Sequence, residues 1–379
     1  MQQEINFITR PGIIFGKGET SEIGCILKNK NMNKALIYTD KGIIKAGLLE
    51  RIENSLRENK IKYKIFAEIE TNPLKSIIRK GIKKTVEFEP DIIIAIGGGS
   101  VLDTAKSVAF YYSNPGLALL GDTGELKGGY NKFPVITIPT TAGTGSEITS
   151  WFVITDPDIP EKVSIGGTCI APELAVIDPE MTLTLSPKLT LWTGMDAFIH
   201  ALEAYLSSIS NDYVNKIAYL AMEYVVNNLE IVVKDASNLL AREKMLLASY
   251  LAGWAMENVG LGLVHGMSHQ VGAYYNHHHG LLNALLLPYI IEYNYPACEK
   301  KMDDINKLFK TGNDKDLAES IFEFYDNLGL NTEILIERRD IPCMAKMAVE
   351  NVNSKTNPRK PELEDVKKIY HRAFKVKDT

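Results

Sequence analysis

The first half of the chain alternates short β-branched runs with stretches of helical periodicity, and this alternation limits the fold more than any other feature. The run DIIIAI at residues 91–96 is apolar almost without interruption, which is typical of a strand buried on both faces of a sheet. Alternating strands and helices build a parallel sheet with helices on both faces, so we predict an α/β domain. The predicted strands are 35–39, 63–67, 91–96, 135–138 and 174–177, and the predicted helices are 47–59, 73–88 and 100–111.

The pattern changes near residues 178–187. Beyond this point β-branched runs become rare and apolar residues recur with a period of 3.6, for example over 213–233, 241–259 and 303–309, which indicates helices. A chain of 379 residues is also long for a single hydrophobic core. We therefore expect two domains, an α/β domain over 1–185 and an all-α domain over 186–379.

Charge and targeting signals exclude several classes of protein. The net charge is −5 and no basic run is present, which argues against binding to nucleic acid or to an anionic membrane surface. Residues 1–12 lack a signal-peptide pattern, and the longest apolar run, 281–291, is shorter than the ~20 residues that span a bilayer. The four cysteines form no C-x-x-C pair, which fits a reducing compartment, so we expect a cytoplasmic protein.

A glycine-rich loop follows the most apolar predicted strand. Residues 97–100 read GGGS, and Asp103 and Lys106 follow on the next predicted helix. Glycine lets the backbone approach a ligand closely, and the N-terminus of a helix attracts anions. The loop therefore favours a pyrophosphate cradle, although a tight strand–helix turn is the alternative.

A second loop and one aspartate extend the same hypothesis. Residues 139–147, PTTAGTGSE, follow another buried strand, and ligands of open α/β sheets bind at the carboxyl ends of strands. Asp40 ends the strand at 35–39, where an acid can accept hydrogen bonds from ribose hydroxyls and would repel a 2′-phosphate, favouring NAD over NADP. An ordinary turn aspartate explains the same position equally well.

Histidines cluster in the second half, since six of the seven lie between His200 and His279. Asp196 and His200 are four residues apart, as are His265 and His269, and this spacing places both members of a pair on one face of a helix. Imidazole is the commonest protein ligand of zinc and also suits divalent iron. The cluster therefore predicts a metal site, although a lone histidine is more often structural.

Together these motifs resemble the iron-dependent (group III) alcohol dehydrogenases, in particular those of the lactaldehyde reductase and 1,3-propanediol dehydrogenase type. The resemblance covers nearly the whole chain. It implies a Rossmann-like N-terminal domain, an all-α C-terminal domain as in dehydroquinate synthase, and a homodimer. The motifs that carry it are FGKG at 15–18, NP at 72–73, GGGS-x-x-D-x-x-K at 97–106, PTTAGTGSE at 139–147, TGMDA at 193–197 with His200, HGMSHQ at 265–270, HG at 279–280 and NPR at 357–359.

The resemblance also implies which residues bind the metal and the cofactor NAD(H). His269 matches a histidine near the nicotinamide and is a candidate for proton transfer. The metal, divalent iron or alternatively zinc, would be held by Asp196, His200, His265 and His279. The cofactor-side positions are Asp40, Asn72, Gly98, Gly99, Ser100, Asp103, Thr140, Thr141, Thr144, Thr149 and Lys162.

One departure from the family pattern concerns the residue before the His–Gly pair. The family usually has proline there, whereas this chain has His277-His278-His279-Gly280. Additional imidazoles at this place could favour a substrate with an anionic tail, such as phosphonoacetaldehyde or sulfoacetaldehyde. This hypothesis requires that His277 and His278 are not both exposed and remote from the site.

The implied reaction is reversible oxidation of a small primary alcohol, with the metal as Lewis acid and direct hydride transfer to NAD. Short diols, lactaldehyde, simple primary alcohols and acidic aldehydes are all open as substrates. A dehydroquinate-synthase-like lyase would need clustered cations for a phosphorylated substrate, and residues 186–290 contain only four lysines and one arginine. Glycerol dehydrogenases usually lack the fourth metal ligand, which His279 would provide here. A non-catalytic metal- or nucleotide-binding module would not need both the metal motifs and the cofactor motifs.

Overall fold

The computed structural model describes residues 7–8, 11–70, 73–121, 123–156, 161–309 and 315–378. Contacts between Cα atoms divide the chain into two compact units, Met1–Leu185 (unit 1) and Ser186–Thr379 (unit 2). Strands dominate the core of unit 1, and helices make up most of unit 2. The predicted α/β fold of the first half and the helical fold of the second half are confirmed, except that unit 2 also contains two short paired strands at residues 335–337 and 375–377.

Unit 1 is built around a parallel sheet of six strands among the described residues, in the order β1-β9-β6-β4-β2-β3. Every pair of neighbours in this sheet is parallel. The elements of unit 1 are β1 (Gly12–Phe15), α1 (Ile23–Asn29), β2 (Lys34–Tyr38), α2 (Lys41–Lys45), α3 (Glu50–Glu58), β3 (Lys62–Phe66), α4 (Lys75–Phe88), β4 (Ile92–Gly97), α5 (Gly99–Ser113), β5 (Gly124–Glu125), β6 (Val135–Pro139), β7 (Trp151–Asp156), β8 (Glu161–Gly166) and β9 (Leu174–Ile177).

The strand β4 lies inside the sheet, and its sequence explains why. The side chains of Ile92, Ile94 and Ile96 belong to one apolar cluster and that of Ile93 to the other, so both faces of the strand are covered. β-branched residues suit such a doubly buried strand. A second, smaller sheet contains the antiparallel pair β7 and β8, with β5 beside β8. The sequence pattern predicted neither this sheet nor the edge strand β1.

The two loops singled out from the sequence leave the sheet at the same edge. β4 and β6 are parallel neighbours, and their last residues, Gly97 and Pro139, are paired. The loop 97–100 follows β4 and the loop 139–151 follows β6, so the carboxyl ends of adjacent strands carry both of them. This is the position where open α/β sheets bind ligands.

Unit 2 is organised around one buried helix, α6. Ser186 caps it by accepting a hydrogen bond from Leu189 N, and Pro187 occupies the first turn, where its missing N–H costs nothing. The helix packs against α7, α8 and α10. The elements of unit 2 are α6 (Pro187–Leu206), α7 (Asp212–Lys234), α8 (Leu239–Val259), α9 (Leu263–Tyr275), α10 (His279–Asn306), α11 (Leu317–Leu328), β10 (Leu335–Glu337), α12 (Ile341–Glu350), α13 (Leu363–Ala373) and β11 (Lys375–Lys377).

A sharp turn joins α9 to α10. Asn276 ends α9 in the left-handed region with φ of 53°, a conformation that asparagine adopts more readily than most residues. Only residues 276–278 separate the two helices, so α10 begins immediately at His279. The turn therefore brings the first residue of α10 back toward the buried face of α9.

Candidate functional site

Four predicted metal ligands converge in unit 2. Asp196 and His200 lie one turn apart on α6, His265 lies in the first turn of α9, and His279 begins α10. One donor atom from each lies within 4.8 Å of the other three. From Asp196 Oδ1 the Nε2 atoms of His200, His265 and His279 are 3.9, 3.8 and 3.8 Å away. Donors that bind one ion at about 2.0–2.2 Å lie at similar mutual distances, so this set fits a divalent metal.

The backbones of α6 and α10 approach closely beside these ligands. A Cβ atom at Gly280 would lie 2.1 Å from Trp192 O and 3.3 Å from the Asp196 Cβ. No side chain fits in this space without moving the main chain. The glycine after His279 therefore allows α10 to start against the turn of α6 that carries Asp196.

Asn283 of α10 reaches the centre of the cluster. Its side chain is fully buried, and Nδ2 donates a hydrogen bond of 2.7 Å to Asp196 Oδ1. The same Nδ2 lies 3.1 Å from Nε2 of both His265 and His279. The Asn283 Oδ1 is buried without a hydrogen-bond partner, a situation that costs free energy in a protein interior. The carboxylate oxygen and the two imidazole nitrogens thus face a common point.

Glu203 supports His265 from behind. Its Oε2 lies 2.6 Å from His265 Nδ1, and its Oε1 accepts a hydrogen bond of 2.6 Å from Val264 N. A carboxylate on Nδ1 keeps the proton there and leaves the lone pair of Nε2 available for a metal. Glu203 lies on the same face of α6 as Asp196 and His200, but this spacing did not by itself predict a role for Glu203.

The charges of the cluster are strongly coupled. Burial alone would raise the pKa of Asp196, but the charges of His200 and His279 and the hydrogen bond with His265 outweigh it and hold this pKa well below its usual range. Burial lowers the pKa of His265, but Glu203 and Asp196 together raise it to about 9. A metal ion binds the neutral imidazole, so metal binding at Nε2 competes with protonation of His265.

The remaining histidines of the cluster region differ in their surroundings. His269 is buried, and its ring centroid lies 6.0 Å from that of His265 and 5.1 Å from that of His279. His277 is exposed, whereas His278 is half-buried, with its ring 4.9 Å from that of Trp192. Of the two additional imidazoles, His278 thus packs against Trp192, which lies one turn before Asp196 on α6, whereas His277 is exposed.

In unit 1 the two predicted loops contact each other. A Cβ atom at Gly98 would lie 3.3 Å from Thr141 Cγ2, and one at Gly99 would lie 2.8 Å from Thr144 Cγ2. Thr140 N donates to Gly97 O at 3.1 Å. Gly98, Gly99, Ser100, Thr141 and Thr144 are partly exposed, whereas Thr140 and Thr149 are buried. The exposed members present backbone and hydroxyl groups suited to a phosphate.

A buried ion pair fastens the second loop to α5. Lys106 is 1% exposed and its Nζ lies 3.2 Å from Asp103 Oδ1. The ammonium group donates to Ser146 O at 2.9 Å and also to Trp151 O. Asp103 accepts hydrogen bonds from Ser146 Oγ at 2.5 Å and from Val153 N at 3.0 Å. Both carboxylate oxygens of Asp103 are therefore engaged within unit 1.

Glu147, in the same loop, is a buried acid that the sequence did not single out. It is 1% exposed, and its Oε1 has no hydrogen-bond partner. Burial raises the pKa of Glu147 to about 7, although a backbone hydrogen bond and the charge of Lys106 act in the opposite direction. A carboxyl group in this environment retains its proton nearly to neutral pH.

The other cofactor-side positions have mixed surroundings. Asp40 is the N-cap of α2, and its Oδ1 accepts a hydrogen bond of 3.0 Å from Ile43 N, which is the local role that a turn aspartate would have. Lys162 lies on β8, opposite Thr155 of β7. Asn72 lies outside the described residues.

None of the described helices is both long and apolar enough to cross a membrane.

Comparison with known families gives matches in both units. Residues 11–179 match the family described as iron-containing alcohol dehydrogenase. Residues 190–374 match the C-terminal part of the Fe-containing alcohol dehydrogenase family. The two matches together account for most of the chain.

Curated relatives give the same result. The NAD-dependent methanol dehydrogenase of Bacillus methanolicus is 34% identical over 97% of this chain and 100% of its own length. Lactaldehyde reductase of Escherichia coli K12 is 33% identical over 95% of this chain and 97% of its own. The aldehyde-alcohol dehydrogenase of Streptococcus pneumoniae serotype 4 is 33% identical over 94% of this chain, which spans 45% of that longer protein.

Solved structures resemble the whole chain as well. A 1,3-propanediol oxidoreductase is 32% identical with a TM-score of 0.93, and the match covers 98% of this chain and 100% of that one. Sulfoacetaldehyde reductase of Bifidobacterium kashiwanohense, solved in complex with NAD+, is 25% identical with a TM-score of 0.86 over 97% of this chain and 98% of its own.

Proposed function

This chain belongs to the iron-containing alcohol dehydrogenase family, and from this premise we propose that it interconverts a small primary alcohol and its aldehyde with NAD(H). The observation that carries the proposal is the convergence of donor atoms from Asp196, His200, His265 and His279. A dehydroquinate-synthase-like lyase would also need clustered cations for a phosphorylated substrate, and residues 186–290 contain only four lysines and one arginine, so we favour the dehydrogenase. The expected homodimer and the cytoplasmic location remain predictions.

The donor set determines which metal the site can hold. Three imidazoles and one carboxylate suit divalent iron and zinc, and zinc binds such sites more tightly by the general affinity order. Membership of the family favours iron. A divalent ion held by Asp196, His200, His265 and His279 would provide Lewis-acid activation of the substrate oxygen, and bound NAD(H) would provide the hydride donor or acceptor.

Residues of the chain itself orient the donors and handle the proton. Asn283 holds the Asp196 carboxylate, and Glu203 holds the proton of His265 on Nδ1. His269 is buried one helical turn from His265, a place from which an imidazole can relay the alcohol proton. A ribose hydroxyl or water is the alternative route.

The cofactor side of the proposal depends on the loops of unit 1. Partly exposed glycines and threonines at the carboxyl ends of β4 and β6 would cradle the pyrophosphate. Asp40 would favour NAD over NADP. We propose these positions as the NAD(H) site: Asp40, Asn72, Gly98, Gly99, Ser100, Asp103, Thr140, Thr141, Thr144, Thr149 and Lys162.

The test is an anaerobic assay of NADH oxidation with metal-free protein reloaded with iron or zinc. Lactaldehyde, glycolaldehyde and butanal serve as neutral substrates, and NADPH is the matched control for cofactor choice. We expect turnover with at least one metal and a preference for NADH. No turnover with either metal would contradict the proposed function.

A second candidate is an aldehyde with an anionic tail. Lys188, Trp192 and Asp196 are spaced four residues apart on α6, so they lie along one face of the helix. The Lys188 Nζ lies 4.6 Å from the centre of the Trp192 ring, and His278 packs on the same ring. The side chain of Lys188 therefore lies on the face of α6 that also carries the metal ligand Asp196, two turns farther along the helix. The likeness of the whole chain to a sulfoacetaldehyde reductase also supports a substrate with an anionic tail.

Substrate preference separates the two candidates. Sulfoacetaldehyde and phosphonoacetaldehyde should exceed butanal in kcat/KM if the cation recognises the tail, and Lys188→Met should remove this advantage while leaving butanal unchanged. His277→Ala, at an exposed imidazole, is the control variant. Preference of the wild-type protein for butanal would leave the neutral short-chain substrate as the function.

A further inference from the structure

The N-terminus of α9 is held by two buried side chains from other parts of unit 2. Glu203 accepts from Val264 N at 2.6 Å, and Asn357 accepts from Leu263 N at 3.1 Å. The first backbone N–H groups of a helix have no partner within the helix. These two side chains therefore determine where α9 begins, and with it the position of His265.

The main chain at Gly262 passes close to the side chains of both Glu203 and Asn357. A Cβ atom at Gly262, just before α9, would lie 2.7 Å from Glu203 Oε1 and 3.1 Å from Asn357 Oδ1. Asn357 is fixed in turn by Asn294, since each amide donates to the other at 2.7 and 3.1 Å. The NPR motif at 357–359 thus belongs to the support of α9.

Glu203 does more than cap the helix, because it also contacts the ligand. Its second oxygen lies 2.6 Å from His265 Nδ1, and the exposed fractions of the two residues are 4% and 1%. A carboxylate in this position orients the imidazole ring and raises the basicity of its other nitrogen. That nitrogen, Nε2, lies 3.8 Å from Asp196 Oδ1, inside the donor cluster.

We propose that Glu203 is a positioning residue of the metal centre, which aims His265 Nε2 at the ion and sets its affinity. Glu203 thus places a second carboxylate beside the buried donor cluster, which already contains that of Asp196. The inference rests on the proposed function, since it requires that the cluster binds a metal. Asn357 supports the same end of α9 without touching a ligand.

The test compares metal affinity among three variants of the full chain. Glu203→Gln keeps the size of the side chain, but its amide has a single acceptor oxygen, so it can accept from Val264 N or from His265 Nδ1 and not from both. We expect Zn²⁺ to bind about 10- to 100-fold more weakly, measured by competition with a chelator. Asn357→Ala leaves the contact between Glu203 and His265 intact and should weaken binding less. Glu223→Gln, on the exposed face of α7, is the matched control and should bind as the wild type does.

Two further measurements separate positioning from a purely structural role. The absorption spectrum of the Co²⁺-loaded protein should change in Glu203→Gln, because the geometry of one ligand changes. A purely structural role would lower the melting temperature of the metal-free protein and leave both the Zn²⁺ affinity and the Co²⁺ spectrum unchanged. That result would overturn the proposal.

Failure of the proposal can be told apart from failure of the proposed function. Absence of metal binding by the wild-type protein would overturn both. Binding by the wild type with equal affinity in Glu203→Gln would overturn only the role of Glu203. If Glu203→Gln does not fold, Glu203→Asp is measured instead: its carboxylate is one methylene too short to reach both partners, so unchanged affinity would overturn the proposal.

Discussion

The metal cluster of unit 2 and the glycine loops of unit 1 differ in which part of the chain would bind the ligand. The cluster consists of side-chain donors on three helices, each in a fixed place on a rigid element. The loops consist of small residues whose backbone groups are the functional part, and their shape depends on a buried ion pair behind them. A site made of side chains should lose function when one donor is removed, whereas a site made of backbone should lose it when the supporting residues change.

Removal of one donor from the cluster should have the largest effect. For His200→Ala we expect loss of the bound metal and a decrease in kcat/KM on the order of 10³-fold, because Lewis-acid activation contributes several kcal/mol. Metal content per chain and the rate of NADH oxidation measure this. His371→Ala, at an exposed histidine on α13, is the control. A His200→Ala protein with full metal content would contradict the cluster as the site.

Removal of the support behind the loops comes second. Lys106→Met leaves Asp103 without its cation and the carbonyl oxygens of Ser146 and Trp151 without their donor. We expect the free energy of unfolding to fall by about 3–5 kcal/mol and the KM for NAD+ to rise. Urea unfolding and kinetics measure the two effects.

The Lys106→Met variant also tests whether the metal site and the loops are independent of each other. Zn²⁺ affinity should not change in Lys106→Met, because every donor of the cluster lies in unit 2. Lys83→Met, at an exposed lysine of α4, is the matched control. Weaker metal binding in Lys106→Met would show that the two sites are not independent.

Glu147 should make the stability of unit 1 depend on pH. Its pKa is raised to about 7 in the folded protein from about 4.5, so the folded state binds a proton more tightly than the unfolded state. Stability is therefore highest below about pH 4.5 with respect to this group and decreases as the pH rises through about 7, by about 3 kcal/mol in total.

The variant Glu147→Gln should remove that dependence. The free energy of unfolding of the variant should exceed that of the wild type by more at pH 8 than at pH 5. Urea unfolding of both proteins at both pH values measures this difference. Glu87→Gln, at an exposed residue of α4, should show no such difference. An unchanged gap between wild type and Glu147→Gln at both pH values would refute the assignment.

The smallest effect should come from the backbone of the cradle itself. Gly99→Ala places a Cβ atom 2.8 Å from Thr144 Cγ2, so one loop must shift. Overpacking of this kind costs about 1–3 kcal/mol, and we expect the KM for NAD+ to rise about tenfold with unchanged metal affinity. Gly116→Ala, where the added Cβ atom meets open space, is the matched control. Equal KM values for both variants would argue against the cradle.

The sequence predicted the α/β fold and the helical second half because each leaves a periodic pattern, whereas the set of four metal ligands was implied by the resemblance to the family. Spacing of four residues places Asp196 and His200 on one helix face, and alternating apolar runs predict the sheet. His279, in contrast, was assigned through the resemblance to the family, since three consecutive histidines do not by themselves show which one points inward.

The supporting residues could not be predicted in the same way. Glu203 and Asn283 act on ligands that are 62 and 87 residues away in the chain, and no local pattern encodes such a contact. The edge strand β1 and the β7–β8 pair were also missed, although the aromatic and β-branched run Trp151–Thr155 could have identified β7. Asp40 caps α2, and its position just after β2 is typical both of a turn aspartate and of a ribose-binding acid.

The contact at Gly280 has a consequence for how this protein tolerates sequence change. Because the α10 backbone at this residue rests directly against the backbone oxygen of Trp192, the separation of α6 and α10 there is set by main chain rather than by side-chain volume. Substitutions in the surrounding apolar core can then alter packing without spreading the donors apart. The separation of the two helices that carry Asp196 and His279 is thus insensitive to side-chain volume around this contact, whereas a substitution of the glycine itself would push them apart.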